Sequence, residues 1–463
     1  MTVKEQGQLQ KSLKMRHMRM ISIGGVIGAG LFVGSGAVIH ATGPAAVISY
    51  LLAGVLIVLI MRMLGEMAAA HPSIGSFAEY GRLALGGWAG FSIGWLYWYF
   101  WVIVVAVEAT AGAGILQYWL PGVPLWVLSL GLMVLLTLTN VISVRSYGEF
   151  EYWFASIKVG AIVVFMILGG LYVLGLWPGA SMDFSNLYAH GGFAPHGYSS
   201  ILQGIVIVIF SFVGSEIVTI AAAESSEPEK AVAKATNSVI WRVLVFYIGS
   251  ILLVVTMLPW NAASVLKSPY VSALTALDIP AADQIMNVIV LTAVLSCLNS
   301  GLYTSSRMLY ALAKKGDAPR WFMHLNGRGV PIRAILLGTV IGYLSVVMSY
   351  VSPDQVFLFL VNSSGVVALF IYLLIAVSQL RMRDRLERER PERLQVRMWG
   401  YPVLTYLTIA GMLAVIGSMA WIPSMRSQLW ASLLSWLVVL VAYALRYRWG
   451  VSQSDNTSQT ERA

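Results

Sequence analysis

The 463-residue chain is 58% hydrophobic and only 11% charged, with a mean hydropathy of +0.75. A soluble domain carries about 25% charged residues, so this composition excludes a soluble globular protein and predicts an all-α integral membrane protein. The net charge of +9 is scattered over many short loops rather than gathered on one basic face, which argues against a nucleic-acid partner.

Residues 1–17 form a polar, basic N-terminal segment that leads straight into apolar sequence. No small-residue cleavage site follows, so no removable signal is expected. Apolar stretches near 18–38, 44–70, 90–118, 124–144, 152–176, 200–222, 238–259, 281–311, 333–352, 355–379, 402–422 and 428–446 follow. Each approaches or exceeds the roughly 20 residues of a spanning helix, which predicts about twelve transmembrane helices. Lys4, Lys11, Lys14, Arg16, Arg19, Arg82, Arg145, Lys230, Lys234, Lys314, Lys315, Arg320 and Arg328 fall on one side of that arrangement, with the run from Arg381 to Arg397. The alternate loops hold only Lys267 and Arg426. The positive-inside rule then places both termini in the cytoplasm.

Span one contains Gly24, Gly25, Gly28, Gly30, Gly34 and Gly36. Glycine costs about 1 kcal/mol against alanine in a helix interior, so this density predicts a helix that breaks. Close helix packing through small residues is the rival explanation, but a packing seam occupies one face and these glycines occupy all of them. A dinucleotide fingerprint is rejected, since the first acid after it is Glu66 and no strand precedes it. Freed N–H groups at a half-helix start suit an anion, and broken spans point to a transporter's substrate site.

Span three carries Glu108 and an aromatic crowd from Trp95 to Trp101. The acid is a candidate for proton coupling or for a bond to a neighbouring helix, and the rings read as packing or belt residues. Arg62, Glu66 and Arg307 lie near span ends and read as interfacial. Lys158 lies within span five. Ionisable groups in lipid are functional candidates by default, and burial disfavours a charged amine, so Lys158 is a candidate to release and retake a proton. Snorkelling to the cytoplasmic interface is the alternative. In span six, Phe210-Ser-Phe-Val-Gly-Ser-Glu216 places a glycine, two serines and an acid mid-helix. Glu216 is placed to carry a proton or to steady an unwound segment, and Phe210 and Phe212 to cover a bound ammonium by cation–π attraction. Spans one and six open two groups of five, the arrangement an inverted-repeat transporter shows.

The remaining organisation is a ten-helix transport core over 18–380, a charged cytoplasmic loop over 381–400, helices 11 and 12 over 401–449, and a disordered cytoplasmic tail over 450–463. The charged loop reads as a solvated anchor. The lone Cys297 forms no intrachain disulfide, and the six histidines show no metal-ligand spacing. No hydrolase or P-loop motif is present. Neither an enzyme, a metal site nor a cofactor is expected.

The motifs Gly25-Val-Ile-Gly-Ala-Gly-Leu-Phe-Val-Gly-Ser-Gly36, Phe210–Glu216 and Glu224-Ser-Ser-Glu-Pro-Glu-Lys230 resemble the amino acid–polyamine–organocation superfamily, within it the bacterial amino-acid permeases. Longer blocks, Ser143–Trp153, Glu216–Ser225, Cys297–Tyr310 and Lys315–Pro319, resemble its γ-aminobutyrate permeases. The resemblance covers essentially the whole chain. It implies a five-plus-five inverted repeat (the LeuT-like fold) with broken helices 1 and 6 and two extra helices. It further implies proton-coupled import of a zwitterionic amino acid, γ-aminobutyrate, across the bacterial inner membrane. By motif, the N–H groups of Gly28, Ala29 and Gly30 would hold the substrate carboxylate. The carbonyls of Val26, Phe210 and Val213 would face its ammonium, and Phe210 or Phe212 would gate it. Lys158 matches a lysine that takes the place of a sodium ion in proton-coupled relatives, and Glu216 matches an acid of the same helix. Beyond the proton as coupling ion no cofactor is implied. Symport of another amino acid, sodium coupling, exchange, and a sensor that binds without transport remain the rivals, and oligomeric state is not legible.

Overall fold

The computed structural model describes residues 27–71, 76–142, 145–216, 239–326 and 329–460. Val26, the whole basic N-terminal segment and the Glu224–Lys230 motif lie outside the described residues. Among those described, nine helices are long and apolar enough to cross a membrane, with shorter apolar helices at Leu125–Val141 and Ser200–Phe212. The longest, Ala29–Ala70, comprises spans one and two. Gly43, at φ 65°, ends span one, and Pro44 opens the 3-10 turn that leads into span two, the glycine-then-proline stop expected of a helix end. The chain is thus an all-helical, multi-pass membrane protein that accommodates the twelve expected spans.

Span one is Ala29–Phe32 with Gly34–Thr42, span two Ala46–Ala70 and span three Gly87–Leu116. Span four is Leu125–Ile142, span five Arg145–Val173 and span six Ser200–Phe212. Span seven joins a π-helical stretch, Arg242–Gly249, to Ser250–Met257. Span eight is Ala282–Lys314, and span nine is Ile332–Gly338 with Val340–Val351. Spans ten, eleven and twelve are Pro353–Glu389, Val403–Trp421 and the first part of Arg426–Thr460. Helices at equivalent positions of the two groups of five pack on one another: one on six, two on seven, three on eight and four on nine. That is the pairing a pseudo-two-fold repeat produces. Spans three and ten are buried along most of their apolar windows, whereas spans eleven and twelve are largely exposed at the periphery.

Two boundaries differ from those expected. Residues 381–389 are not loop but the end of the span-ten helix, because Arg-Met-Arg-Asp-Arg-Leu-Glu-Arg-Glu holds no breaker before Pro391 and its charges pair one turn apart, as Arg383 does with Glu387. Residues 450–460, expected as a disordered tail, are described as helix. The last helix runs on to Thr460, since no proline or further glycine follows Gly450 and extending a helix is far easier than starting one.

The basic end of the bundle is laced by buried polar groups. Glu66, expected at an interface, is 1% exposed. Its carboxylate accepts bonds from Gln379 Nε2 at 2.7 Å, from Arg383, and from the Met398 N–H at 2.6 Å. Those partners satisfy a charge that burial would otherwise penalise, and they pin span ten and the following turn to span two. His71, just past span two, has its pKa lowered by burial and then by Arg393 and Arg390. Asp317, after span eight, accepts from Arg82 on the short helix Ser76–Leu85 and from Arg446 on the last helix.

Candidate functional site

Span six breaks where its glycine and serines predict. Val213 leaves the helix at φ −65°, ψ 144°, Gly214 adopts φ 102°, and helical geometry resumes at Ser215 and Glu216. The break strands backbone groups that must find partners. Tyr247, on the π-helical turn of span seven, donates to the Ser211 carbonyl at 2.9 Å, and Ser215 Oγ to that of Phe212 at 2.8 Å. The Gly214 N–H donates to both Glu216 carboxylate oxygens at 3.0 Å. Tyr97 of span three and Tyr372 of span ten donate to the same carboxylate at 3.0 and 3.2 Å. A side chain at Gly214 meets a backbone conformation costing about 1–3 kcal/mol. Gly214→Ala is therefore expected to lower the thermal unfolding midpoint of the purified protein, measured by intrinsic fluorescence on heating.

The described part of span one opens at Ile27 and Gly28, whose extended backbone precedes the helix that starts at Ala29. The Ala29 N–H donates to Glu108 Oε1 at 3.2 Å and to Oε2 at 3.1 Å. Glu108 is 1% exposed. This explains why a glycine is needed at 28: a Cβ there would stand 2.7 Å from Glu108 Oε1 and 2.9 Å from the Cys297 side chain.

The start of span one and the break of span six meet on one small cavity. Its wall is made by Gly28 and Gly30 of span one, and by Phe100, Trp101, Val104 and Glu108 of span three. Phe210, Ser211 and Val213 of span six and Cys297 of span eight complete it. Ser211 and Trp101 are buried side chains of this wall, the first beside the Tyr50 hydroxyl and the second beside that of Tyr97. Phe212 is not on the wall. Two residues along a helix point to nearly opposite sides, and its ring packs instead on Tyr247 at 4.5 Å and Tyr50 at 6.3 Å between centroids.

Behind the cavity lies a second polar group. Lys158 Nζ donates to Ser296 Oγ at 2.9 Å, and Ser296 Oγ donates to Glu151 Oε1 at 2.7 Å and Oε2 at 2.8 Å. Nζ stands 3.8 Å from Glu151 Oε1, with both side chains 0% exposed. Lys158 therefore does not snorkel. Glu151 and Ser296 are absent from the expected site residues, although a signal for the acid exists. Residues seven apart on a helix share a face, so an acid two turns before a buried lysine is its natural partner. Phe100, Trp101, Val104, Ser211 and Cys297 carried no such signal, because which face of each helix meets the cavity depends on the packing.

Comparison with known proteins bears on what this arrangement handles. Residues 17–456 match the Amino acid permease family. The chain is 60% identical to a γ-aminobutyric acid permease of Bacillus subtilis, over 97% of this chain and 96% of that one. It is 48% identical to a γ-aminobutyric acid permease of Escherichia coli, over 96% and 95%. It is also 41% identical to the aromatic amino acid transport protein AroP of Corynebacterium glutamicum, over 91% and 92%.

Proposed function

Because the chain belongs to the amino acid permease family, we propose that it imports γ-aminobutyrate together with a proton, by alternating access across the bacterial cytoplasmic membrane. The substrate rests on relatives of 48% and 60% identity that carry the γ-aminobutyric acid permease name. The observation that carries the mechanism is the helix start at Ala29 in span one and the break after Phe212 in span six meeting on one cavity.

In this reading the substrate carboxylate takes the N–H groups around Gly28, Ala29 and Gly30 at the start of span one, where the helix dipole favours negative charge. The ammonium, three methylenes away, reaches the span-six wall, with the carbonyls at Val213 and Phe210 and the Phe210 ring nearby. The Ala29 N–H is held by Glu108 at the cavity wall. Two carboxylates about 4 Å apart repel by about 4 kcal/mol at an effective dielectric of 20, so both cannot sit there charged. Protonating Glu108 removes the conflict and ties substrate entry to a proton. Lys158 supplies the charge that occupies a sodium ion's place in other members, and Glu216 steadies the span-six break.

The test is uptake of labelled γ-aminobutyrate into liposomes containing the purified protein, under an imposed potential and pH gradient. One charge moving through 100 mV gains about 2.3 kcal/mol, and 1.36 kcal/mol is tenfold, so roughly fifty-fold accumulation is expected without a pH gradient. Accumulation indifferent to both gradients defeats proton symport and leaves exchange. Amino acids with ends three methylenes apart are expected to compete better than α-amino acids, and the reverse order defeats the substrate assignment.

A further inference from the structure

Ser296 Oγ stands between an amine and a carboxylate on the same neighbouring helix, and its bonds run one way. It accepts from Lys158 and donates to Glu151. All three side chains are fully buried, and the direct separation of Nζ and Oε1, 3.8 Å, is too long for a hydrogen bond. The hydroxyl is therefore the only bonded path between the two charges among the described residues. It belongs to span eight, whereas Glu151 and Lys158 belong to span five. Cys297, next to Ser296, faces the cavity, and Glu108 of span three and Cys297 are the other titratable groups in electrostatic contact with Lys158.

We propose that Glu151, Ser296 and Lys158 form one proton-exchange unit, in which Glu151 is the internal acceptor of the Lys158 proton and Ser296 the hydroxyl that passes it. This rests on the proton-coupled reading above and deepens it, because strongly interacting groups hold their protons as a pair rather than singly. In the transfer an Nζ–H bond of Lys158 breaks as Ser296 Oγ gains that proton. The hydroxyl's own O–H bond breaks as its proton passes to Glu151. A neutral amine and a neutral carboxyl result, with no net charge created in the bilayer. The unit is complete only while spans five and eight are in contact, so their separation strands either form and fixes the protonation state for that half of the cycle.

The experiment uses the full chain in liposomes with γ-aminobutyrate as probe and two readouts. One is counterflow of labelled substrate, and the other is substrate-driven internal acidification reported by a trapped dye at a clamped potential. Glu151→Gln is expected to cut acidification per substrate at least tenfold while counterflow stays within threefold. Ser296→Ala, which keeps both charges, is expected to slow acidification in the same direction, and Glu151→Asp to restore it in part. Unchanged acidification per substrate in Glu151→Gln overturns the proposal. So does loss of both readouts in parallel in Glu151→Gln and Ser296→Ala, the signature of packing alone. If Glu151→Gln does not fold, unchanged acidification in Ser296→Ala overturns it. An unmodified chain that takes up substrate with no acidification defeats the proton reading itself, which is a separate result.

Discussion

Lys158→Met is expected to collapse accumulation of γ-aminobutyrate at 100 mV from roughly fifty-fold to about the external concentration, while exchange of internal for external substrate persists. The reason is local. The ammonium is fully buried and its bonded partner is the Ser296 hydroxyl, with the Glu151 carboxylate beyond. Methionine matches the length of the side chain and removes the charge, so the substrate cavity keeps its walls and loses its coupled proton. The substitution also strands Glu151. Breaking a buried ion pair by removing one partner costs about 3–5 kcal/mol, whereas replacing both partners is often near neutral. The double variant Lys158→Met with Glu151→Gln is therefore expected to unfold at a higher temperature than Lys158→Met alone, read by intrinsic fluorescence on heating. Gradient-driven accumulation that survives in Lys158→Met would sink the coupling role.

The second large effect is expected at Gly30. A Cβ built there stands 2.7 Å from Ser211 Oγ, 2.8 Å from Ser211 Cα and 3.1 Å from Phe210 Cδ1. The hydroxyl can turn away, but the Cα belongs to the span-six backbone, so even alanine must push spans one and six apart at the cavity. Dense interiors resist such insertions at about 1–3 kcal/mol, and the displaced wall is the one proposed to hold the substrate. Gly30→Ala is expected to lower kcat/KM for uptake at least tenfold, and Gly30→Val to abolish it. Gly34→Ala is the control. Its Cβ would meet only the Ala29 carbonyl at 3.6 Å, an ordinary contact, and uptake should stay within twofold. Equal losses at both positions would show that glycine matters there for the backbone and not for the approach of the two spans.

What the sequence disclosed follows from where its signals are local. Span existence needs only apolar length, and the span-six break needs only a glycine among serines and an acid, so both were legible in residues 210–216. The glycine density also predicts a break in span one; of the residues concerned, those from Ile27 onward are described, with the helix starting at Ala29. Lys158 stood out because a lysine in lipid is costly wherever it points. Glu151 did not, because it lies just before the expected start of span five at residue 152. Ser296 is one of many hydroxyls in apolar sequence, and such groups usually bond back to their own helix, as Ser250 and Thr110 do. Only the contact between spans five and eight singles it out. The different surroundings of Phe210 and Phe212 were hidden for a related reason. Adjacent aromatic residues are equal in a sequence, but the helix phase turns one to the cavity and the other to Tyr247.

The four bonds received by the Glu216 carboxylate come from its own strand of backbone and from spans three and ten. Residues 214–216 are thereby riveted to those two helices, while the preceding segment to Phe212 is held by span seven through Tyr247. The joint of span six then lies at Val213 and Gly214, bridged by the Ser215 Oγ bond to the Phe212 carbonyl. The two sides of the break are thus anchored to different neighbours, one by the Glu216 carboxylate and the other by the Tyr247 hydroxyl.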